Sequence, residues 1–344
     1  LDQRVTVIDG DALRFTAGEA LALLGAAAAA VAPLVERAEG WAAGLVLMRE
    51  QARRGGPAAP ARAQTGEASA FAYFAGEIYE RIAPESQRVL LAAALLPRAR
   101  PDLLRLLTDH PDPRSVLEYG YRRHLFITRS ATAPGVYQFN ALFRDFLVER
   151  AHRELGADGV RAMLRVAAHA LERAGEREGV FQLFRDAEDW AGAVRIVLAE
   201  APALLAQGRF RSLAAQIDAL PADLRDAQPW LAYWSGAAEI NVDPARALEF
   251  LDRAYRGFTA AGDYAGQLQA VEAAIVSHYL GWNDWRPLDR WIDEAERLLA
   301  AGRPFPSAES EARVLSALAI ALVYRRPGHP RLLEWPIQPR SPIS

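Results

Sequence analysis

Residues 125–155 read LFITRSATAPGVYQFNALFRDFLVERAHREL. Leu125 to Arg129 and Val136 to Phe139 are short β-branched and aromatic runs. The loop that joins them is rich in Ser, Thr, Pro and Gly, so the pair predicts a β-hairpin. From Ala141 the apolar period changes to that of a helix, about 141–155, expected to bury Leu142, Phe143, Phe146 and Leu147. Two short helices, 102–108 and 114–124, precede the hairpin. Helices, then a hairpin, then a long helix make a winged-helix shape.

Upstream, Phe71, Phe74, Ile78 and Ile82 share one helical face, and Pro84 starts a helix with Val89, Leu90 and Leu95 on its core side. The stretch GGPAAPARAQTG at 55–66 has no periodicity and reads as a linker. Before it, residues 4–8 predict a strand ending at Asp9-Gly10, Thr16 with Glu19 forms a capping box, and 41–53 predicts a helix. Downstream, 158–325 reads as helices only, broken at Gly175, Gly208, Pro221, Asp243-Pro244, Gly262-Asp263, Asn283-Asp284 and Gly302. Acid–aromatic openings recur at Asp189-Trp190, Asp263-Tyr264 and Asp284-Trp285, where the acid is expected to cap the helix. The spacings are irregular, so the array is a degenerate tetratricopeptide-like solenoid.

Composition narrows the chemistry. The 344 residues exceed one ordinary core, so two or three domains are expected. Forty basic against forty-three acidic side chains give a net charge of −3, which is no global footprint for nucleic acid. All the basic residues are Arg. With no Lys there is no P-loop or Schiff-base lysine, and with no Cys there are no disulfides, thiol nucleophiles or cysteine metal sites. No two of the six His stand three or four residues apart, so no HExxH-type metal helix is present. Residues 20–35, the longest apolar run, are too short and too rich in Ala to span a membrane.

Several stretches resemble one family, the MalT-like, ATP-dependent regulators of the STAND class. They are DALRFT at 11–16, EGWAAGL at 39–45, YFAGEI at 73–78, YQFNALFRDFL at 137–147, PWLAYW at 229–234 and DWRPLDRW at 284–291. Such chains run nucleotide-binding domain, winged helix, helical solenoid, then usually a LuxR-type helix-turn-helix. The resemblance implies a mostly α fold divided into a remnant of an α/β nucleotide-binding domain (1–54), a linker (55–68), a winged helix (69–157), a helical-repeat domain (158–326) and an irregular tail (327–344). It further implies that the phosphate loop lies upstream of Leu1 and the DNA reader downstream, and that the chain is cytoplasmic. Trp41, Ala42 and Asn140 match positions that contact nucleotide in the family. Asn140 and Ala42 replace the His and the occasional Pro found there, and packing is the stronger role for Trp41. No cofactor is expected in this chain; ATP or ADP would belong to the upstream domain.

The function expected on this resemblance is the sensor and coupling portion of a signal-transducing transcriptional regulator. A small-molecule inducer or regulatory protein would bind the repeats, and self-association would belong to a full-length protein. The alternative is a stand-alone helical-repeat scaffold without nucleotide or DNA role. The chain itself is not expected to be an enzyme. Arg122-Arg123-His124 ends the second helix of the winged domain and complements its dipole more simply than it reads bases, so direct DNA binding is not expected. The rings Trp230, Tyr233, Trp234, Tyr279, Trp282, Trp285 and Trp291 admit two readings. Either they fill holes between stacked helices, or Trp234, Trp282 and Trp285, with Asp284 and Arg286, line a groove for a ligand or partner. Paired acids such as Glu309 with Glu311 are read as helix-start residues.

Overall fold

The structure, a computed structural model, describes residues 15–24, 75–123, 126–130, 135–281 and 284–334. The expected strand at 4–8, the helix at 41–53, the linker at 55–68 and the end of the tail lie outside them. The protein is mostly α, with one small sheet. Helix α1 (Ala17–Leu24) begins at the capping box expected from the sequence. The Glu19 N–H donates to Thr16 Oγ1 at 3.3 Å, and the Thr16 N–H donates to the Glu19 carboxylate at 2.8 Å.

The winged helix follows in chain order: α2 (residues 75–80), α3 (Pro84–Leu95), α4 (Pro101–Thr108), α5 (Pro113–Arg122), β1 (Ile127–Arg129), β2 (Tyr137–Phe139) and α6 (Ala141–Arg173). Proline opens three of these helices, where its missing N–H is not needed. The two strands pair antiparallel, with Ile127 opposite Phe139 and Arg129 opposite Tyr137. Ala99 adds an isolated bridge to Tyr137, so a third extended residue flanks the hairpin. Leu90, Leu104, Leu117, Phe143 and Leu147 form the centre of the packing. Leu142 is only half-buried. At about 100° per residue it falls at the edge of the apolar stripe centred on Phe143 and Leu147. Arg144 is spent on the fold: its Nε donates to the Ala94 carbonyl at 2.9 Å, satisfying the end of α3.

The helix expected at 141–155 ends where the sequence places it: the backbone breaks at Gly156, whose φ of 70° and ψ of 169° suit glycine alone, and a second helical segment runs on to Arg173. Gly156→Ala is expected to cost about 1–2 kcal/mol, read as a lower urea midpoint at unchanged slope. An unchanged midpoint would mean that the break relaxes without cost. The second half of α6 packs on α7 (Val180–Asp186), and the turn between them lies against residues 97–100. Arg98 reaches Glu178 at 2.6 Å, Arg100 pairs with Glu176, and Gly179 lies close against the Pro97 ring. Contacts accordingly divide the chain between Glu188 and Asp189, with this first hairpin on the winged-helix side.

The second unit holds α8 (Trp190–Ala206), α9 (Phe210–Asp218), α10 (Ala222–Ala227), α11 (Pro229–Glu239), α12 (Pro244–Ala261), α13 (Tyr264–Gly281), α14 (Leu288–Ala300), α15 (Ala308–Arg325) and α16 (Pro330–Glu334). Consecutive helices pack as hairpins, α11 on α12, α12 on α13 and α13 on both α14 and α15. Asp189, Asp243 and Asp263 each accept N–H bonds at the start of α8, α12 and α13, as their positions in the sequence predict. Asp284 differs. It accepts from the Arg286 N–H at 3.0 Å, and the helix starts only at Leu288 after a further turn. Close crossing of α12 and α13 depends on Gly266, where a Cβ would stand 2.4 Å from the Phe258 ring.

Candidate functional site

In the winged helix α5 packs beside the first strand of the hairpin, and side chains of the two elements meet at one surface. Glu118, mid-way along α5, organises this surface. It accepts from Arg122 Nε at 2.8 Å, from the Tyr137 hydroxyl at 3.0 Å and from Arg129. Arg129 and Arg122 together hold its carboxyl at about 2, far below the ordinary 4.5. The Arg129 guanidinium also lies 4.6 Å from the Tyr121 ring, and that of Arg123 lies 5.4 Å from the Tyr119 ring. The arginines that end α5 are thus engaged within the domain, while His124 lies outside the described residues. Because the folded pKa is the lower one, Glu118 stabilises the fold above pH 4.5, and this contribution is lost as pH falls toward 2. Glu118→Gln should therefore flatten the acid limb of stability over that window. Denaturation midpoints at stepped pH measure it, and an unchanged limb would refute the assignment.

Asn140 joins the hairpin to α6. Its side-chain oxygen accepts from the Leu142 N–H at 3.0 Å, its own N–H donates to the Phe126 carbonyl at 2.8 Å, and the residue is buried. It is the N-cap of α6. Trp41 and Ala42, the other nucleotide-contact candidates, lie outside the described residues.

In the helical array the aromatic residues form two clusters over one core. Trp230, Tyr233 and Trp234 contact one another on α11, Trp230 to Tyr233 at 5.6 Å and Tyr233 to Trp234 at 4.9 Å. Trp230 Nε1 donates to Asp263 at 3.0 Å, so the acid that caps α13 also fixes this ring. The second cluster places Trp285 at 4.3 Å from Tyr324 and 6.2 Å from Tyr279. Trp234 and Trp285 are half-buried against the core, and Trp291 is fully inside it. Trp282 lies outside the described residues. Asp284 and Arg286 are exposed and bond one another, Arg286 Nε to Asp284 Oδ1 at 2.9 Å.

The sequence reading missed a polar group inside this array. Glu272 on α13 is buried and accepts from Arg313 of α15 at 2.6 Å, with the Tyr233 hydroxyl of α11 beside them. Burial first, then the Glu272 charge, pushes the Tyr233 phenol up to about 12. A cleft opens over this pair, lined also by Gln269, Ser307 and Glu309. The one signal in the sequence is an acid embedded in the apolar run Val271-Glu272-Ala273-Ala274-Ile275. Its partner, 41 residues away, is not marked. Among the described residues no group of His, Asp and Glu is arranged to hold a metal ion, and no helix is long and apolar enough to cross a membrane.

A winged helix followed by stacked helical hairpins defines the class of protein, and comparison with known proteins refines it. Residues 75–158 match the family model of the MalT winged helix domain. The chain carries a winged-helix domain of the MalT type, and its resemblance to MalT-like STAND regulators stands on that domain. A solved STAND protein (signal transduction ATPase with numerous domains) with a tetratricopeptide repeat sensor, from Pyrococcus horikoshii, aligns over 91% of this chain at 14% identity and a TM-score of 0.38. The alignment covers 51% of that structure, so this chain spans about half its length. No curated protein matches the chain.

Proposed function

We propose that this chain is the sensor and coupling portion of a STAND-type transcriptional regulator. Its helical array receives a small-molecule inducer or a partner protein, and the winged helix passes the event to a nucleotide-holding latch. The observation that carries this reading is the MalT-type winged helix at 75–158, followed directly by helical hairpins. ATP or ADP belongs to an upstream domain, with Trp41, Ala42 and Asn140 as this chain's contributions to its edge. The aromatic groups around Trp234 and Trp282–Trp285 are the region offered to an inducer or partner.

The DNA on either side of the coding region tests the proposal. An in-frame GxxxxGK[ST] upstream and a helix-turn-helix downstream are expected. Absence of both would favour a stand-alone scaffold. Incubated alone with ATP, the chain should release no phosphate above a buffer blank. Turnover that a substitution in this chain abolishes would overturn its non-catalytic role.

A further inference from the structure

Apart from the aromatic clusters and the Glu272–Arg313 cleft, the array holds a second cleft, of about 170 Å³, between α9, α10, α11 and α12. Its floor is apolar: Ile217, Leu231 and Ala232 are all buried. Its walls carry three arginines together with Asp218 and Asp226. Arg246, Phe250 and Arg253 stand at i, i+4 and i+7 on one face of α12, and Arg225 faces them from α10. The two α12 guanidinium groups lie 5.6 and 5.7 Å from the centre of the Phe250 ring.

Each arginine has an acid partner, but a replaceable one. Arg225 meets Asp218 at 3.2 Å, Arg253 meets Asp226 at 3.1 Å and Arg246 meets Glu239 at 3.7 Å. The two aspartates are each 68% exposed. Exposed pairs of this kind contribute about 0–1 kcal/mol. An incoming carboxylate takes over a guanidinium fork at little cost and adds a bidentate contact. The half-buried Phe250 ring has no use for a bare oxyanion such as phosphate and suits a ligand with an aromatic body.

We propose that this cleft binds a small aromatic carboxylate, its ring beside Phe250 and its carboxylate on Arg225 and Arg253. The proposal rests on the reading of the array as the receiving part of the protein, and it supplies the chemical class of the effector. Calorimetric titration of the whole chain with benzoate, benzyl alcohol and inorganic phosphate tests it. Benzoate is expected to bind, with the neutral alcohol and phosphate each about tenfold weaker or silent, as loss of a charged hydrogen bond or of ring burial implies. Arg253→Gln and, separately, Arg225→Gln should weaken benzoate about tenfold, while circular dichroism shows the fold retained. Phe250→Leu, which keeps the volume apolar, should weaken benzoate but not alter the response to phosphate. Silence toward benzoate, phosphate binding as tight as benzoate, or indifference to both arginine variants would each overturn the proposal. None of these results touches the sensor reading, which the flanking DNA decides separately.

Discussion

Phe143→Ala is expected to lower the stability of the winged-helix unit by about 3–5 kcal/mol, the range for emptying a buried aromatic site. The Phe143 ring is 1% exposed and meets Phe126 at 4.9 Å, Phe139 at 6.0 Å and Phe146 at 6.1 Å. It therefore joins α6 to both sides of the hairpin. Phe126 carries a positive φ of 60°, an unfavourable conformation for a bulky residue, and its burial against Phe143 offsets that strain. Removing Phe143 empties a cavity and also withdraws this support. Domains are stable by about 5–15 kcal/mol, so the loss is a large fraction of the whole. Phe146→Ala, at a ring that also contacts Tyr79, should approach the same magnitude, and Leu142→Ala should cost much less because that side chain is half in water. Chemical denaturation of the three variants ranks them. Equal midpoints for Phe143→Ala and the parent would show the helix face to be misassigned.

Arg313→Ala is the second large effect, expected at about 2–3 kcal/mol. Its partner Glu272 has a side chain 12% exposed, held by one 2.6 Å contact from Arg313. Deleting the cation leaves the Glu272 carboxylate, beside the Tyr233 phenol, without its counter-charge, and an uncompensated charge of this burial is costly. The figure lies below the range of about 3–5 kcal/mol for breaking fully buried pairs because half of the Arg313 side chain is in water. Glu309 precedes Arg313 by four residues on α15, the favourable spacing and order for a helical ion pair. Arg313 nevertheless turns across to Glu272, because the buried acid gains more from it than an exposed one does. Adding Glu272→Gln to Arg313→Ala should recover much of the loss in thermal melting. If the double variant melts no higher than the single one, the stranded charge is not the cause.

What the residues alone determined here is whatever neighbours along the chain decide. Periodicity and turn chemistry at 102–155 specify helices, a hairpin and the Phe143–Leu147 face. Thr16, Asp189, Asp243 and Asp263 act as helix starts because a cap reaches only two or three residues ahead. The failures have the same origin. Asp284 resembles those caps locally, but its oxygen goes to Arg286 and the helix waits until Leu288. Only the tertiary structure decided that Arg144 closes α3 from 50 residues away, and that residues 158–188 pack with the winged helix. Tertiary packing likewise brought Glu272 to Arg313 and Arg225 opposite Arg246 and Arg253. Each of these depends on the angle and distance at which one helix crosses another, and those are set by side-chain volumes such as the missing Cβ of Gly266 against Phe258. Long-range convergence of polar groups leaves no periodic mark in a sequence, because the energy that selects it is spent between elements and not along them.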